Sequence, residues 1–389
     1  KLDALPLPDY DSYFKTLSRC PSVAAKAQVA LTAESSRGCW WGHKKGCTFC
    51  GLNGQGGAYA SKTPQRFRSE LHTLSKRYGS TLFSITDNII DKRYFDTLLP
   101  MLADDGAPYR LFYETKSNLR RYHLASFRKA GIDWIQPGIE SLSTAHLRHM
   151  RKGAHAWEHV YLLRLAMEYG MRLQWFILHD FPGEKSEWYE EMAHLVPLIN
   201  HLQPPVNMIP LQFCRFSEYH EKAEQYGLRL APPPLAPMAY PFERVVLQDL
   251  LFSFEPESGR DCIENTVLSM LTEKAGKRRL RAALADWTQA FWSPQRPQLT
   301  MHDDGQTCRL RDTRSIATTP VHVMTGKVRK AYLAACEDCR PLADIQKLAG
   351  AQTDTIVTRL VDQKLAVILD DRLVGLAAGP ARYAFPPRW

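Results

Sequence analysis

From residue 21 to about residue 240, short apolar runs alternate with longer stretches whose apolar residues recur every three or four positions. Short runs suit strands and the longer period suits amphipathic helices, so the pattern predicts a parallel β/α architecture. The strand candidates are Ala27–Leu31, Leu82–Ile85, Arg110–Tyr113, Ile132–Ile135, Leu173–Leu178 and Val206–Phe213. Between them, Ser69–Tyr78, Lys92–Ala103, Arg121–Ala130, Trp157–Tyr169 and Ser186–Ile199 carry helical spacing. Six β/α units are too few for a closed eight-stranded barrel, so the expected class is α/β with a partial (β/α)6 barrel. Polar residues gather at the carboxyl ends of these strands, where loops and helix N-termini of parallel sheets converge on ligands.

The flanks read differently. Residues 1–20 form a linker, because Pro6 and Pro8 exclude a helix around them. The prolines at 232–234 and Pro241 close the barrel, taken as 21–240. Residues 241–298 are helical in pattern and rich in leucine and arginine. Residues 299–389 begin with a hairpin, Leu299–Arg314, turning at Asp303-Asp304-Gly305. They continue as a winged-helix-like module, with helices at Lys327–Ala335, Leu342–Leu348 and Asp354–Lys364. Strands follow at Ala366–Leu369 and Leu373–Ala377.

Hydrophobic content of 44% with 23% charged residues describes a soluble globular chain, and no apolar run approaches the ~18 residues that span a bilayer. The net charge of +9 is scattered, which favours a solvated basic surface over a nucleic-acid footprint. An odd count of nine cysteines, without a regular framework, points to a reducing compartment, the cytoplasm.

Three of those cysteines, Cys39, Cys47 and Cys50, stand in the pattern Cys-x7-Cys-x2-Cys among Gly38, Gly42, Gly46, Gly51 and Gly54. Thiolates suit zinc or iron–sulfur centres, and three of them leave one coordination position open. A zinc knuckle would ordinarily have a fourth ligand close by. Cys336 and Cys339 form a separate pair with no second pair beside it.

The triad ending Cys47-Thr48-Phe49-Cys50 after an apolar strand resembles the radical S-adenosylmethionine (SAM) superfamily. Its wider wording, Cys39-Trp40-Trp41-Gly42 and Cys47-Thr48-Phe49-Cys50-Gly51-Leu52-Asn53-Gly54, is similar to one branch. That branch is the cobalamin-dependent radical SAM C-methyltransferases that mature ribosomally made peptides (RiPPs). The resemblance implies a 4Fe-4S cluster on Cys39, Cys47 and Cys50 whose free iron takes SAM. It implies further SAM contacts from Phe49, Asp87, Asn88, Glu114, Gly138, Glu140 and Ser141, with Lys116 and Asn118 beside Glu114. Two segments depart from the family's wording. Asp180 replaces a glycine in His179-Asp180-Phe181-Pro182-Gly183-Glu184, and Phe176 stands at a usual asparagine. Glu218 replaces a proline in Arg215-Phe216-Ser217-Glu218-Tyr219, and Gln212 stands at a usual arginine. Arg215 and Tyr219 are candidates to face the substrate.

The implied chemistry is reductive cleavage of SAM to a 5′-deoxyadenosyl radical, hydrogen abstraction from a peptide carbon, and methylation by methylcobalamin. In the family a cobalamin-binding domain precedes the wording Leu5-Pro6-Leu7-Pro8-Asp9-Tyr10, and the 389 residues contain no Asp-x-His-x-x-Gly motif. The implied partners are a precursor peptide, with its leader on the winged-helix-like module, and an electron donor such as flavodoxin or ferredoxin. A membrane is not expected, nor is nucleic acid. Three alternatives stand beside this reading: a cobalamin-independent peptide epimerase or cross-linking maturase, a tRNA-modifying radical SAM enzyme, and a zinc-binding module without catalysis.

Overall fold

The computed structural model describes residues 2–54, 58–257 and 274–385. Its centre is a parallel sheet of β1 (Leu31–Ala33), β2 (Leu82–Ile85), β3 (Arg110–Thr115), β4 (Ile132–Pro137) and β5 (Arg172–Leu173), in that order. A two-stranded parallel ladder continues it, β6 (Phe176–His179) with β7 (Asn207–Pro210). The Leu178 N–H joins the two by donating to the Glu140 carbonyl at 3.0 Å. The fold class is α/β with a parallel core, open on one side, as the pattern predicts.

The strands β1, β2, β3 and β6 bury alternate residues. Leu111 and Tyr113 of β3 lie in the core while Arg110, Phe112 and Glu114 are only half-buried. Parallel strands covered on both faces read as continuous apolar runs. Alternation therefore means that one face lines an interior with open space. The outer face packs on helices. Pro64–Tyr78 starts where the Thr63 hydroxyl accepts from the Arg66 N–H, with Pro64 in the first turn, and stops at Gly79 in the left-handed region (φ +68°). Its Phe67, Leu71 and Leu74 are buried. Arg121–Lys129, Ala156–Glu168 and Ser186–Ile199 match the expected helices closely.

Several expectations need correction. The first strand begins at Leu31, where the expected one ends. The fifth is split, because the Gln203 side chain takes the backbone hydrogen bonds of Leu173 and the Gln203 carbonyl accepts from the Trp175 indole at 3.2 Å. Lys92–Ala103 is a 3-10 turn (Lys92–Phe95) followed by a helix (Leu98–Asp104). The 1–20 segment contains a helix, Asp11–Ser18, and is pinned to the barrel: the Tyr10 N–H donates to the Tyr78 hydroxyl at 2.8 Å. The proline argument holds only as far as Tyr10. Residues 241–298 include a strand, Ser253–Pro256, paired with Phe213–Cys214 and Leu230–Ala231. Their long helix, Ala275–Phe291, packs along Ser186–Ile199, whereas 258–273 lie outside the described residues.

The expected hairpin is a three-stranded antiparallel sheet, Leu299–Asp303, Thr307–Asp312 and Val321–Thr325. Helices Gly326–Glu337, Leu342–Ala349 and Thr353–Asp362 follow, then the strands Ala366–Leu369 and Arg372–Gly375. Asp370 and Asp371, with φ of 51° and 58°, make the tight turn between those strands. This C-terminal region is fastened to the barrel through Ala156–Glu168, which is buried on nearly every side. Arg164, fully buried, pairs with Glu168 at 3.1 Å and donates to the Cys336 carbonyl. Glu168 also pairs with Arg121 and accepts from the Gly379 N–H at 2.9 Å.

Candidate cluster and cofactor site

The loop after β1 is folded back on itself by one side chain. Asn53 accepts from the Cys39 N–H at 2.7 Å and donates to the Cys39 carbonyl at 3.1 Å, closing residues 39–53 into a ring. Two glycines make the ring possible. A Cβ on Gly42 would overlap the Asn53 amide, and one on Gly51 would overlap the Arg215 carbonyl oxygen. The ring's far side is tied down by the Thr48 N–H, which donates to the Met150 carbonyl at 3.1 Å.

Inside it, Cys39, Cys47 and Cys50 line one cavity of about 210 Å³ at the carboxyl ends of the strands. Phe49, Asn88, Glu114, Gly138 and Glu140 line the same cavity. Five of the seven expected SAM contacts therefore converge with the three thiols. Two do not. The Asp87 carboxylate points beneath the strand ends, accepting from the Ser35 N–H at 2.7 Å and from the Ser35 and Ser36 hydroxyls. Burial pushes its carboxyl up to about 6. The Ser141 hydroxyl lies against the Met192 sulfur at 3.3 Å and accepts from the Ser143 N–H at 3.1 Å. Both groups have framework partners and lie outside the lining of the thiol cavity. Asn118, expected beside Glu114, lines a neighbouring cavity instead.

The sequence reading missed Lys152, Trp41 and Gln136, which also line the thiol cavity. Lys152 arrives from a turn at Arg151-Lys152-Gly153 and pairs with Glu140 at 2.7 Å. Only Gly153 hints at it locally, because a Cβ there would overlap the Trp41 ring. Burial disfavours the Lys152 charge, yet the Glu140 carboxylate and the Cys47 and Cys50 thiolates outweigh it and hold the ammonium charged. Lys116 rests with its ammonium 3.2 Å from the Trp41 ring centre and donates to the Lys152 carbonyl at 3.2 Å. Burial brings Lys116 down to about 8. The same burial pushes the Cys50 thiol up to about 11 and the Cys47 thiol upward.

The residues present fit a three-thiolate cluster. Among the described residues, no three His, Cys, Asp or Glu side chains come close enough to hold one metal ion. The Trp41 indole N–H and the Thr115 hydroxyl, both buried at this cavity, have no hydrogen-bond partner in the protein. Native proteins rarely leave such groups unmet unless a ligand meets them. The two lysines supply positive charge where three thiolates would gather.

The other candidates have structural tasks. Arg215 donates to the Leu251 carbonyl at 2.8 Å and to that of Gln248. Tyr219 is buried in an apolar cluster with Phe181, Phe213 and Phe254. Asp180 keeps the glycine-like left-handed backbone (φ +68°) and pairs with Lys277. Cys336 and Cys339 are buried in the C-terminal core, where burial raises their thiols to about 11 and 12.

The radical SAM superfamily pattern matches residues 34–196, the segment that builds the cysteine ring and the strands β2–β6. Residues 34–196 are thus similar to the radical SAM superfamily. The anaerobic magnesium-protoporphyrin IX monomethyl ester cyclase of Synechocystis is 24% identical over 132 residues, 32% of this chain and 25% of the cyclase. Among solved structures, the cobalamin-dependent SAM radical enzyme OxsB is 13% identical, with a TM-score of 0.46 over 64% of this chain and 41% of that one. The radical SAM methyltransferase TsrM of Kitasatospora setae is 18% identical, with a TM-score of 0.44 over 53% of this chain and 41% of that one. The chain thus spans a quarter of the cyclase and about two fifths of those two enzymes. The superfamily implies a 4Fe-4S cluster and SAM, and the three-thiol cavity is the place that fits them. No helix among the described residues is long and apolar enough to cross a membrane.

Proposed function

We propose that the chain is a radical SAM enzyme that modifies an unactivated carbon of a ribosomally made precursor peptide, by C-methylation. The observation that carries the reading is the convergence of Cys39, Cys47 and Cys50 with Asn88, Glu114 and Glu140 in one cavity at the strand ends. A 4Fe-4S cluster and SAM bound there would supply a carbon-centred radical, and methylcobalamin the methyl group.

The chain's own residues have definable tasks. The Asn53 clamp and the Gly42 and Gly51 contacts hold the three thiols in one arrangement. Asn88 and Glu114 offer an amide and a carboxylate to an ammonium group, and Glu140 offers a carboxylate to hydroxyls. Phe49 and Trp41 keep the cavity walls apolar, which limits water at the reacting centre. A flavodoxin or ferredoxin would deliver the electron. The precursor's leader would dock on the C-terminal region, beside the groove between Thr144–His149 and the strand Ala366–Leu369.

The test is anaerobic reconstitution of the full chain with iron, sulfide and cobalamin, followed by reduction in the presence of SAM and candidate precursor peptides. Cluster-dependent release of 5′-deoxyadenosine is expected, together with peptides that gain 14 mass units, the mass of one methylene. Material that binds zinc and releases no 5′-deoxyadenosine would overturn the reading. 5′-Deoxyadenosine without stoichiometric cobalamin would move it to a maturation that needs SAM alone, such as epimerisation or cross-linking.

A further inference from the structure

A second cavity, about 370 Å³, adjoins the thiol cavity. The two share Ile89, Thr115 and Lys116, so these residues are a common wall. Four aromatic rings from three elements surround the second cavity: Trp40 from the cysteine ring, Phe95 from the turn Lys92–Phe95, and Tyr122 and His123 from the first turn of Arg121–Lys129. Buried Ile90 and Leu119 make an apolar floor. The Trp40 indole N–H donates to the Ile90 carbonyl at 3.4 Å, which fixes that ring's direction. Phe95 and Tyr122 both pack on His123, with ring centres 4.4 Å and 3.8 Å away. Tyr122 is nevertheless 61% exposed, an aromatic surface left to water at the mouth of an apolar hole.

The charges narrow the ligand class. The Lys92 ammonium sits 3.9 Å from the Trp40 ring centre and that of Lys116 lies 5.9 Å from it, so the cation-attracting face of Trp40 is already taken. A lysine or arginine side chain entering the cavity would meet two like charges. The exposed Asp96 carboxylate also lines the cavity, so an anionic side chain would meet a like charge as well, while His123 adds no charge: its Nδ1 accepts from the Arg120 N–H at 2.8 Å, which places its proton on Nε2. The apolar floor and the four rings then favour a flat, uncharged side chain, and they fit a ring that stacks edge-to-face with its neighbours.

We infer that this cavity is a recognition subsite for a neutral aromatic side chain of the substrate peptide, holding it while a nearby carbon enters the thiol cavity. The inference rests on the peptide reading above and deepens it. Binding a non-reacting side chain next to the reacting centre is how remote contacts become positioning. Tryptophan, tyrosine or phenylalanine near the modified position is the expected signature in the precursor.

Saturation-transfer NMR on the full chain as purified tests this with three probes: N-acetyltryptophanamide, N-acetylleucinamide and N-acetyllysinamide. The tryptophan probe should give the strongest transfer and the lysine probe none. Asn118→Trp, an exposed position at the mouth, should cut the tryptophan signal at least fivefold without altering the circular dichroism. Tyr122→Ser should weaken it to a lesser degree. No transfer from the tryptophan probe, equal transfer from the lysine probe, or an undiminished signal in Asn118→Trp would each overturn the assignment. The measurement needs neither cluster nor SAM, so its failure is distinct from a failure to release 5′-deoxyadenosine.

Discussion

Asp87→Asn isolates the cost of burying a charge beneath the strand ends. The Asp87 carboxyl is raised by burial from the ordinary range to about 6, although Ser35 and Ser36 donate to it. A folded-state value above the unfolded one means that stability is fully present below about pH 3.9 and is lost as pH rises through about 6. At 1.36 kcal/mol per pH unit, the loss across that window is about 3 kcal/mol, of which roughly 2 kcal/mol falls between pH 4.5 and 7.5. Asparagine removes the ionisation and keeps the shape. Its oxygen can still accept from the Ser35 N–H, while the Ser36 hydroxyl already has the Ile89 carbonyl at 3.0 Å as another acceptor. The Ser35 hydroxyl can turn to accept the amide. For a chain of 389 residues, an unfolding entropy of about 0.8 kcal/mol/K turns 2 kcal/mol into roughly 2–3 °C. Thermal unfolding of both proteins by circular dichroism at pH 4.5, 6 and 7.5 reads the effect. The variant should gain on the wild type by that amount as pH rises. Two melting profiles that stay parallel over the range would refute a buried, penalised carboxylate.

Gly51→Ala should abolish cluster loading, because the new methyl group overlaps the Arg215 carbonyl and must push Cys50 out of line, and iron and sulfide analysis after reconstitution shows it. Gly79→Ala, where nothing lies within 4 Å, should load normally and lose only about 1 kcal/mol to its left-handed backbone. Glu140→Gln should raise the midpoint potential of the reconstituted cluster, on the order of tens of millivolts, by leaving the Lys152 charge uncompensated beside the thiolates. Lys152→Met should lower it, and equal potentials in an electron paramagnetic resonance titration would count against the electrostatic assignment.

Much of this protein is legible in its sequence, and the failures share a cause. Ser186–Ile199 was fixed by its spacing alone, and the three thiols by theirs. Asp87 and Asn88 are neighbours at one strand end, yet only the amide enters the cavity. Glu140 and Ser141 divide in the same way. Successive side chains of an extended segment point to opposite sides, and a motif does not say which parity faces the ligand. Lys152 and Gln203 act on partners that no local pattern announces, Glu140 across a loop and Leu173 across 30 residues. The resemblance made Arg215 and Tyr219 substrate candidates, but their side chains are occupied by backbone carbonyls and by apolar packing.

The ionic seam between Ala156–Glu168 and the C-terminal strands limits how this polypeptide can be dissected. Severing it at residue 326 would leave Arg164 paired with Glu168 and Glu168 with Arg121, but would remove the Cys336 carbonyl and the Gly379 N–H that complete their hydrogen bonds. Each hydrogen bond lost from a buried charged group costs about 1.5–3 kcal/mol. The tail is a keystone of the barrel and not a detachable adaptor. A chimera that replaces this C-terminal end will fold only if the graft brings carbonyls and an amide to meet those two side chains.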